Sequence, residues 1–310
     1  MNTYSSASKY NNPRASVVTI GTFDGVHIGH KVILNRLVTT AKKEDLDAVV
    51  LTFFPHPRMV LQTDSSIKLI NTIEERKDLM SKTGLDHLIV HPFTKSFSRL
   101  TALEFVRDIL VNKLNIKKIV IGYDHRFGRN RNANIEDLKS FGLTYGFDVE
   151  EISAQQLDEV AVSSTKIRNA LKVGDIKTAN TYLGYSFMLS GTVIKGKEIG
   201  RTIQYPTANI ELSQDYKLVP KEGVYAVQSI IDNKLVYGLT SIGTNPTVGG
   251  TLKTIETHFL DFNDNLYGKN LTIEFLSHIR GEKTFGSIDA LKSAIQNDEV
   301  FARNFLKNHA

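Results

Sequence analysis

The chain has 310 residues, of which 41% are apolar and 23% charged, so it is long enough for about two domains and too apolar to be disordered. It has no cysteine, which excludes disulfides, thiolate catalysis and Cys-based metal sites, and no run approaches the roughly 20 apolar residues of a membrane-spanning helix. The net charge is +5, and the Lys and Arg residues are scattered among acidic residues rather than grouped. This pattern predicts no nucleic-acid partner, and the mild positive charge suits small anionic ligands.

The N-terminal residues 1–14 are polar and lack the apolar core of a signal peptide. We therefore expect a cytoplasmic protein with a frayed N-terminus, no membrane association and no obligate protein partner. Any bound metal must be held by oxygen or imidazole groups.

The first half alternates short apolar runs with amphipathic segments, as in parallel strands covered by helices on both faces. These strand–helix units predict an α/β fold, a doubly wound parallel sheet, whose ligand crevice lies beyond the carboxyl ends of its strands. The predicted strands are residues 17–20, 48–54, 87–90, 119–121 and 147–152.

The sequence GTFDGVHIGH at residues 21–30 follows the first strand and opens the first helix. Glycine lets the backbone approach phosphate oxygens, and a helix N-terminus offers free N–H groups and a positive dipole end. His27 and His30 can both point at a transferring phosphate from this turn. The alternative is that the two histidines cap the helix and that Gly29 relieves crowding.

Two further motifs follow in the first half. IGYDHRFG at residues 121–128 comes after a strand end, and SSTKIR at residues 163–168 opens a helix, where hydroxyl groups are common caps. The helical stretch over residues 164–183, broken near Gly174, is predicted to link the two halves.

From Phe187 the pattern changes to short runs of period two with frequent glycine, which predicts a small antiparallel β-barrel. Apolar residues at helical spacing from Ser287 onward predict a C-terminal helix. The predicted barrel strands are residues 188–193, 223–231, 234–240, 254–261 and 271–279.

The second half carries GRTIQYPTAN at residues 200–209 and ETHFLD at residues 256–261. The Thr207 hydroxyl and the Asn209 amide are oxygen donors that Mg²⁺ accepts while it keeps waters and substrate phosphates. Alternation along a strand places Glu256 on the same face as His258 and Leu260. A carboxylate that faces a partly closed pocket can act as a base toward an alcohol.

The ordered motifs of the first half, which include TFFPHP at residues 52–57, resemble the FMN adenylyltransferase domain of bacterial bifunctional riboflavin kinase/FAD synthetases, an HxGH-type nucleotidyltransferase. The motifs of the second half resemble the riboflavin kinase domain of the same family. The resemblance implies an adenylyltransferase domain over residues 15–183 and a kinase domain over residues 184–310. It also implies Mg²⁺, ATP as co-substrate, riboflavin and FMN as substrates, and FMN and FAD as products.

The resemblance implies a role for each matching residue. The catalytic residues would be His27, His30 and Glu256. The adenylyltransferase would bind ATP through Gly21, Phe23, Asp24, Asp124, Ser164 and Arg168. The kinase would bind ATP through Arg201, Thr207 and Asn209, with the last two also holding the metal. Flavin would contact Arg280 and Phe285.

The sequence departs from the family pattern at three places. His125 stands where the family usually has phenylalanine, residues 132–134 lack the expected glycine, and Gln204 stands where the family usually has glycine. We therefore expect the flavin-side wall of the first site and the nucleotide loop of the second site to differ from those of relatives.

Two alternatives remain open. The HxGH motif also occurs in class I aminoacyl-tRNA synthetases, although the chain is short and lacks a Lys-Met-Ser-Lys-Ser loop. A flavin-binding regulatory protein could keep both folds without turnover, although retention of His27, His30, Glu256, Thr207 and Asn209 argues against complete loss.

Overall fold

The computed structural model describes residues 1–62, 66–153, 162–196, 200, 203–247 and 250–307. The chain divides into two compact units, residues 1–164 and residues 165–310. Arg201, predicted to bind ATP, lies outside the described residues.

The first unit is built on a six-stranded sheet in which every pairing is parallel. The order across the sheet is β1-β4-β3-β2-β5-β6. The strands are β1 (Asn2–Tyr4), β2 (Ser16–Ile20), β3 (Asp47–Phe54), β4 (His87–Pro92), β5 (Ile116–Gly122) and β6 (Asp148–Ile152). The helices are α1 (Ile28–Glu44), α2 (Pro57–Leu61), α3 (Ile73–Ser81), α4 (Ala102–Glu104), which continues as a π-helix (Phe105–Val111), and α5 (Ile135–Tyr145).

The central strand β2 is buried on both faces, which explains its mainly apolar sequence. Val17 packs in a cluster with Leu34 of α1, whereas its neighbour Val18 packs in a second cluster with Leu110. The chain runs from β2 outward through β3 and β4 on one side and continues through β5 and β6 on the other. The switch point between β2 and β5 is where an open α/β sheet usually binds its ligand.

The expected frayed N-terminus is wrong. Residues Asn2–Tyr4 form β1, a sixth parallel strand that pairs with β4 at the edge of the sheet. Ala7 and Tyr10 are buried in the core, and the Ala7 N–H donates to His91 Nδ1 at 3.0 Å. A three-residue strand carries too little periodicity to be recognised in a polar segment, because its stability comes from a tertiary partner.

The second unit begins with helices α6 (Ser164–Val173) and α7 (Ile176–Leu183), separated at Gly174, whose φ of +83° favours glycine. These helices were predicted to link the two halves, but they pack with the barrel. The Asn180 side chain donates to the Phe275 carbonyl and accepts from the Phe187 N–H.

The rest of the second unit is a closed antiparallel barrel in the order β10-β11-β8-β7-β12-β9. The predicted succession of a parallel sheet, an antiparallel barrel and a C-terminal helix is therefore confirmed. The strands are β7 (Met188–Ile194), β8 (Ala208–Leu212), β9 (Gly223–Ile231), β10 (Lys234–Thr247), β11 (Gly250–Phe259) and β12 (Asn270–Arg280), followed by α8 (Ile288–Lys307). Strand β8, which carries Asn209, is not among the predicted strands, because residues 200–209 were interpreted as a loop.

Candidate active sites

His27 and His30 lie together at the N-terminus of α1. His27 is the N-cap residue, and its Nδ1 accepts a hydrogen bond from the His30 backbone N–H at 3.3 Å. The two imidazole rings stack with centroids 3.6 Å apart and planes at 16°. The capping alternative is thus correct for the His27 Nδ1 atom.

The His30 ring lies in an environment that disfavours its charged form. Burial of the ring, the neighbouring His27 and the Arg76 guanidinium together hold the pKa of His30 well below its usual value. Its Nδ1 atom is buried and has no hydrogen-bond partner among the described residues. A neutral imidazole with an unsatisfied ring nitrogen is suited to bind a ligand at this turn.

Gly29 allows the two histidines to stack. A Cβ atom at this position would lie 3.3 Å from the His27 ring. The preceding loop also bends sharply, because Phe23, Gly25 and Val26 all have positive φ angles of 47°, 91° and 36°. The loop geometry therefore depends on residues that the HxGH motif does not include.

Asp24 stabilises this loop from beneath. Its carboxylate is 1% exposed and accepts hydrogen bonds from the backbone N–H groups of Ile70 and Asn71, at 3.0 to 3.2 Å. Ser164 donates from its hydroxyl to the Asp24 carbonyl at 2.8 Å. The structure thus brings Asp24 and Ser164 to the same loop, but it does not expose the Asp24 carboxylate to a ligand.

A cavity of about 840 Å³ opens at the carboxyl ends of β2 and β5. It is lined by Gly21, Phe23 and His30 from the first motif and by Asp124 from the motif after β5. Its other walls are mainly aromatic and basic, and they include Phe53, Phe93, Phe97, Phe105, Phe127, Lys95, Arg99, Arg126, Arg129 and Arg131. Such walls suit a ligand that combines flat rings with phosphate groups.

His125 forms part of this wall and stacks on Phe127 with ring centroids 6.1 Å apart. Burial lowers the pKa of His125 to about 4, with Asp124 opposing the shift and Arg131 adding to it. Its Nε2 atom is buried without a hydrogen-bond partner among the described residues. A neutral imidazole therefore stands where the family resemblance predicts a phenylalanine.

Arg168, predicted to bind ATP in the first half, lies on α6 and is half-buried. This helix belongs to the second compact unit.

In the second unit, Thr207 and Glu256 come together at the pairing of β8 and β11. The Thr207 hydroxyl donates to Glu256 Oε2 at 3.4 Å. Asn209 is the strand partner of Glu256, and a Cβ atom at Gly196 would collide with its amide group. The two predicted oxygen donors and the predicted base therefore lie together where β8 pairs with β11.

The predicted face of β11, with Glu256, His258 and Leu260 on one side, is wrong at Leu260. Glu256 and His258 are half-buried and alternate with the buried residues Ile255, Thr257 and Phe259. Leu260 lies beyond the end of the strand, so it does not extend the face of Glu256 as the alternation predicted.

Gln204 occupies a turn position where the family resemblance predicts glycine. Its φ is +71°, in the left-handed region that favours glycine. The turn closes through the Tyr205 N–H, which donates to the Gly200 carbonyl at 2.8 Å. Gln204 is exposed, and its side chain lines a cavity of about 300 Å³ rather than filling the turn.

Arg280, predicted to contact flavin, is already engaged by the C-terminal helix. Its guanidinium donates from Nε and Nη2 to the Asp298 carboxylate at 2.7 to 3.1 Å. The guanidinium also lies 5.5 Å from the centroid of the Phe285 ring. Asp298 was missed because its partner is 18 residues away, a separation that no local pattern indicates.

The first unit carries an HxGH turn at the switch point of a parallel sheet. The second unit is a closed barrel in which the Thr207, Asn209 and Glu256 side chains lie together. These features define an enzyme of the nucleotide-transferring class with two separate sites. Comparisons with known proteins give the family. The family model for FAD synthetase matches residues 9–166, and that for riboflavin kinase matches residues 183–306.

The bifunctional riboflavin kinase/FMN adenylyltransferase of Escherichia coli (strain K12) is 37% identical over 290 residues, which cover 93% of this chain and 92% of that protein. The protein of that name from Listeria monocytogenes is 36% identical over 291 residues, covering 93% and 92%. The chain therefore belongs to the bifunctional riboflavin kinase/FMN adenylyltransferase family, and the resemblance seen in the sequence is confirmed.

A crystal structure from Streptococcus pneumoniae, described as a macrolide-efflux protein, matches 98% of each chain with a TM-score of 0.88 and 32% identity. That name refers to a different activity. Across the described residues, no helix combines the length and apolar character needed to span a membrane.

Proposed function

We propose that the second domain transfers the γ-phosphoryl group of ATP to riboflavin, giving FMN and ADP, and that the first domain joins FMN to the AMP portion of ATP, releasing pyrophosphate. The domain matches and the two separate sites support this assignment. In this proposal the adenylyltransferase domain ends at residue 183 and the kinase domain begins at residue 184. Since both reactions consume ATP, we place the enzyme in the cytoplasm.

In the first domain, a phosphate oxygen of FMN attacks the α-phosphorus of ATP and pyrophosphate leaves. Positioning and charge stabilisation dominate such a displacement. His27 and His30 lie together at this turn, where an imidazole N–H can donate to a phosphate oxygen. The lowered pKa of His30 makes it a neutral donor, and the N-terminus of α1 adds its dipole.

The remaining residues of the first site have supporting roles. Gly21, Phe23 and Asp124 bind ATP at the cavity wall, whereas Asp24 and Ser164 hold the loop through their buried hydrogen bonds. The aromatic wall accommodates the isoalloxazine ring, and the basic residues attract the phosphates. Arg168 is kept among the ATP-binding residues on the basis of the family resemblance alone.

In the second domain, Glu256 removes the proton from the primary hydroxyl of riboflavin as its oxygen attacks the γ-phosphorus. The contact between Thr207 and Glu256 is the observation that carries this assignment, because it places the proposed base beside the nucleotide loop. Arg280 and Phe285 contribute to flavin binding, with Arg280 oriented by Asp298. Arg201 contributes to ATP binding.

Thr207 and Asn209 fit a magnesium site of the open type. A hydroxyl and an amide are weak ligands alone, but they suffice where water and phosphate oxygens complete the octahedron. When bound, Mg²⁺ would neutralise charge on the ATP phosphates.

Replacement of the proposed base tests the kinase assignment. Glu256→Gln keeps the shape of the side chain but removes its basicity, so riboflavin phosphorylation should fall by about 10²- to 10⁴-fold. The exposed Glu211 on β8 provides a matched control, and Glu211→Gln should leave turnover unchanged. Unchanged FMN production by the Glu256 variant would refute the assigned role.

A further inference from the structure

We propose that His258 is a positioning residue of the kinase site, which holds the nucleotide loop so that Thr207 stays beside Glu256. The inference rests on the riboflavin kinase function proposed above. It assigns a role to a residue for which the sequence motifs gave none.

His258 extends the contact between two strands past the point where their backbone pairing ends. Strands β8 and β11 pair at Asn209 with Glu256 and at Ala208 with Thr257. The loop before β8 then leaves the ladder, since Pro206 has no N–H group to donate. His258 Nδ1 lies 2.8 Å from the Pro206 carbonyl oxygen and forms a hydrogen bond with it.

The hydrogen bond to the Pro206 carbonyl determines which ring nitrogen of His258 carries a proton. A carbonyl oxygen only accepts hydrogen bonds, so His258 Nδ1 carries the proton and donates it. Glu256 and His258 are two residues apart on β11, and they contact adjacent residues of the loop, Thr207 and Pro206. The loop is therefore held against one face of β11 at two successive points.

The two contacts differ in strength. The distance from Thr207 Oγ1 to Glu256 Oε2 is 3.4 Å, which is long for an O–H···O hydrogen bond, whereas the His258 bond has ordinary length. Tyr205 adds a ring contact with His258, with centroids 5.1 Å apart and planes at 72°. His258 thus supplies the firmer attachment of the segment that carries Thr207.

Two variants separate the hydrogen bond from the ring contact. His258→Phe keeps an aromatic ring for Tyr205 but removes the N–H donor. His258→Asn removes the ring but places an amide N–H close to the position of Nδ1. The kinetic constants of riboflavin phosphorylation should be measured for both variants, with FMN adenylylation by the same chain as the internal control.

For His258→Phe we expect KM for Mg-ATP to rise about two- to tenfold, the worth of one lost hydrogen bond, with a smaller change in KM for riboflavin. His258→Asn should recover most of this loss. Adenylylation should be equal in all three proteins. Thermal unfolding of each variant shows whether the second domain is intact.

The proposal is overturned if His258→Phe has wild-type constants, if His258→Asn is as impaired as His258→Phe, or if the loss follows a general destabilisation of the second domain. Failure of the kinase assignment itself gives a different result, because the wild-type protein would then make no FMN from riboflavin.

Discussion

The imidazoles of His27 and His30 stack at 3.6 Å at the N-terminus of α1, and the pKa of His30 is held well below its usual value. Two protonated rings at this separation would repel each other beside a positive helix end. The arrangement therefore offers a phosphate a neutral His30 imidazole at neutral pH rather than a pair of cations.

Loss of the His30 ring should affect one activity only. For His30→Ala we expect FAD formation from FMN to fall by about 10²- to 10³-fold, the usual cost of removing a donor that stabilises transition-state charge. Riboflavin phosphorylation should stay near normal, because the kinase residues belong to the second domain. Equal damage to both activities would contradict the two-site account.

His125 should make the first domain less stable in acid. Its pKa is about 4 in the folded protein and 6.5 by default, so the unfolded chain binds a proton that the folded chain does not between these values. Stability is therefore lost as pH falls through this window, by at most about 1.4 kcal/mol per pH unit.

His125→Phe should flatten this dependence, as measured by urea unfolding at about pH 7.5 and about pH 5. His125→Gln serves as a control because glutamine also does not titrate, and it should flatten the slope to the same extent. An unchanged slope in both variants would show that His125 titrates normally.

Gln204 should tolerate glycine better than alanine. A left-handed backbone costs an ordinary residue about 1 kcal/mol, and glycine removes that cost although it gains flexibility in the unfolded chain. We expect Gln204→Gly to be as stable as the wild type or up to about 1 kcal/mol more stable in thermal unfolding. Gln204→Ala keeps the strain and should give no gain; a gain equal to that of glycine would contradict the backbone explanation.

The pair formed by Arg280 and Asp298 should stabilise the second domain. The Asp298 side chain is 6% exposed, so Asp298→Asn leaves a largely buried guanidinium without its counter-charge. We expect a loss of about 2 kcal/mol in chemical unfolding and weaker riboflavin binding. Asp289→Asn, an exposed change in the first turn of the same helix, should cost less than about 0.5 kcal/mol. Similar losses in the two variants would argue against a specific role for the pair.

The fold was largely predictable because its signals are local. The burial of β2 on both faces appears in the sequence as an almost continuous apolar run, and the amphipathic spacing of α1 appears as a helical period. Strand β1 could not be predicted, since its three residues owe their conformation to pairing with β4.

The sequence predicted which residues belong to the candidate sites, but it did not predict the contacts that these residues make. The sequence placed His27 and His30 at a phosphate-binding turn, but it gave no indication that the Asp24 carboxylate is occupied by the backbone of Ile70 and Asn71. Likewise, the motif identified Glu256, whereas the bond between His258 and Pro206 depends on where the β8–β11 ladder ends. Long-range pairing of this kind leaves no periodic trace in the chain.

The most direct test of the central claim is a time course in which the purified protein is incubated with riboflavin and Mg-ATP and the flavins are separated by chromatography. The account predicts that FMN appears first and then declines as FAD accumulates. Absence of both products from riboflavin, together with absence of FAD when FMN is supplied, would contradict it and favour a flavin-binding protein without turnover.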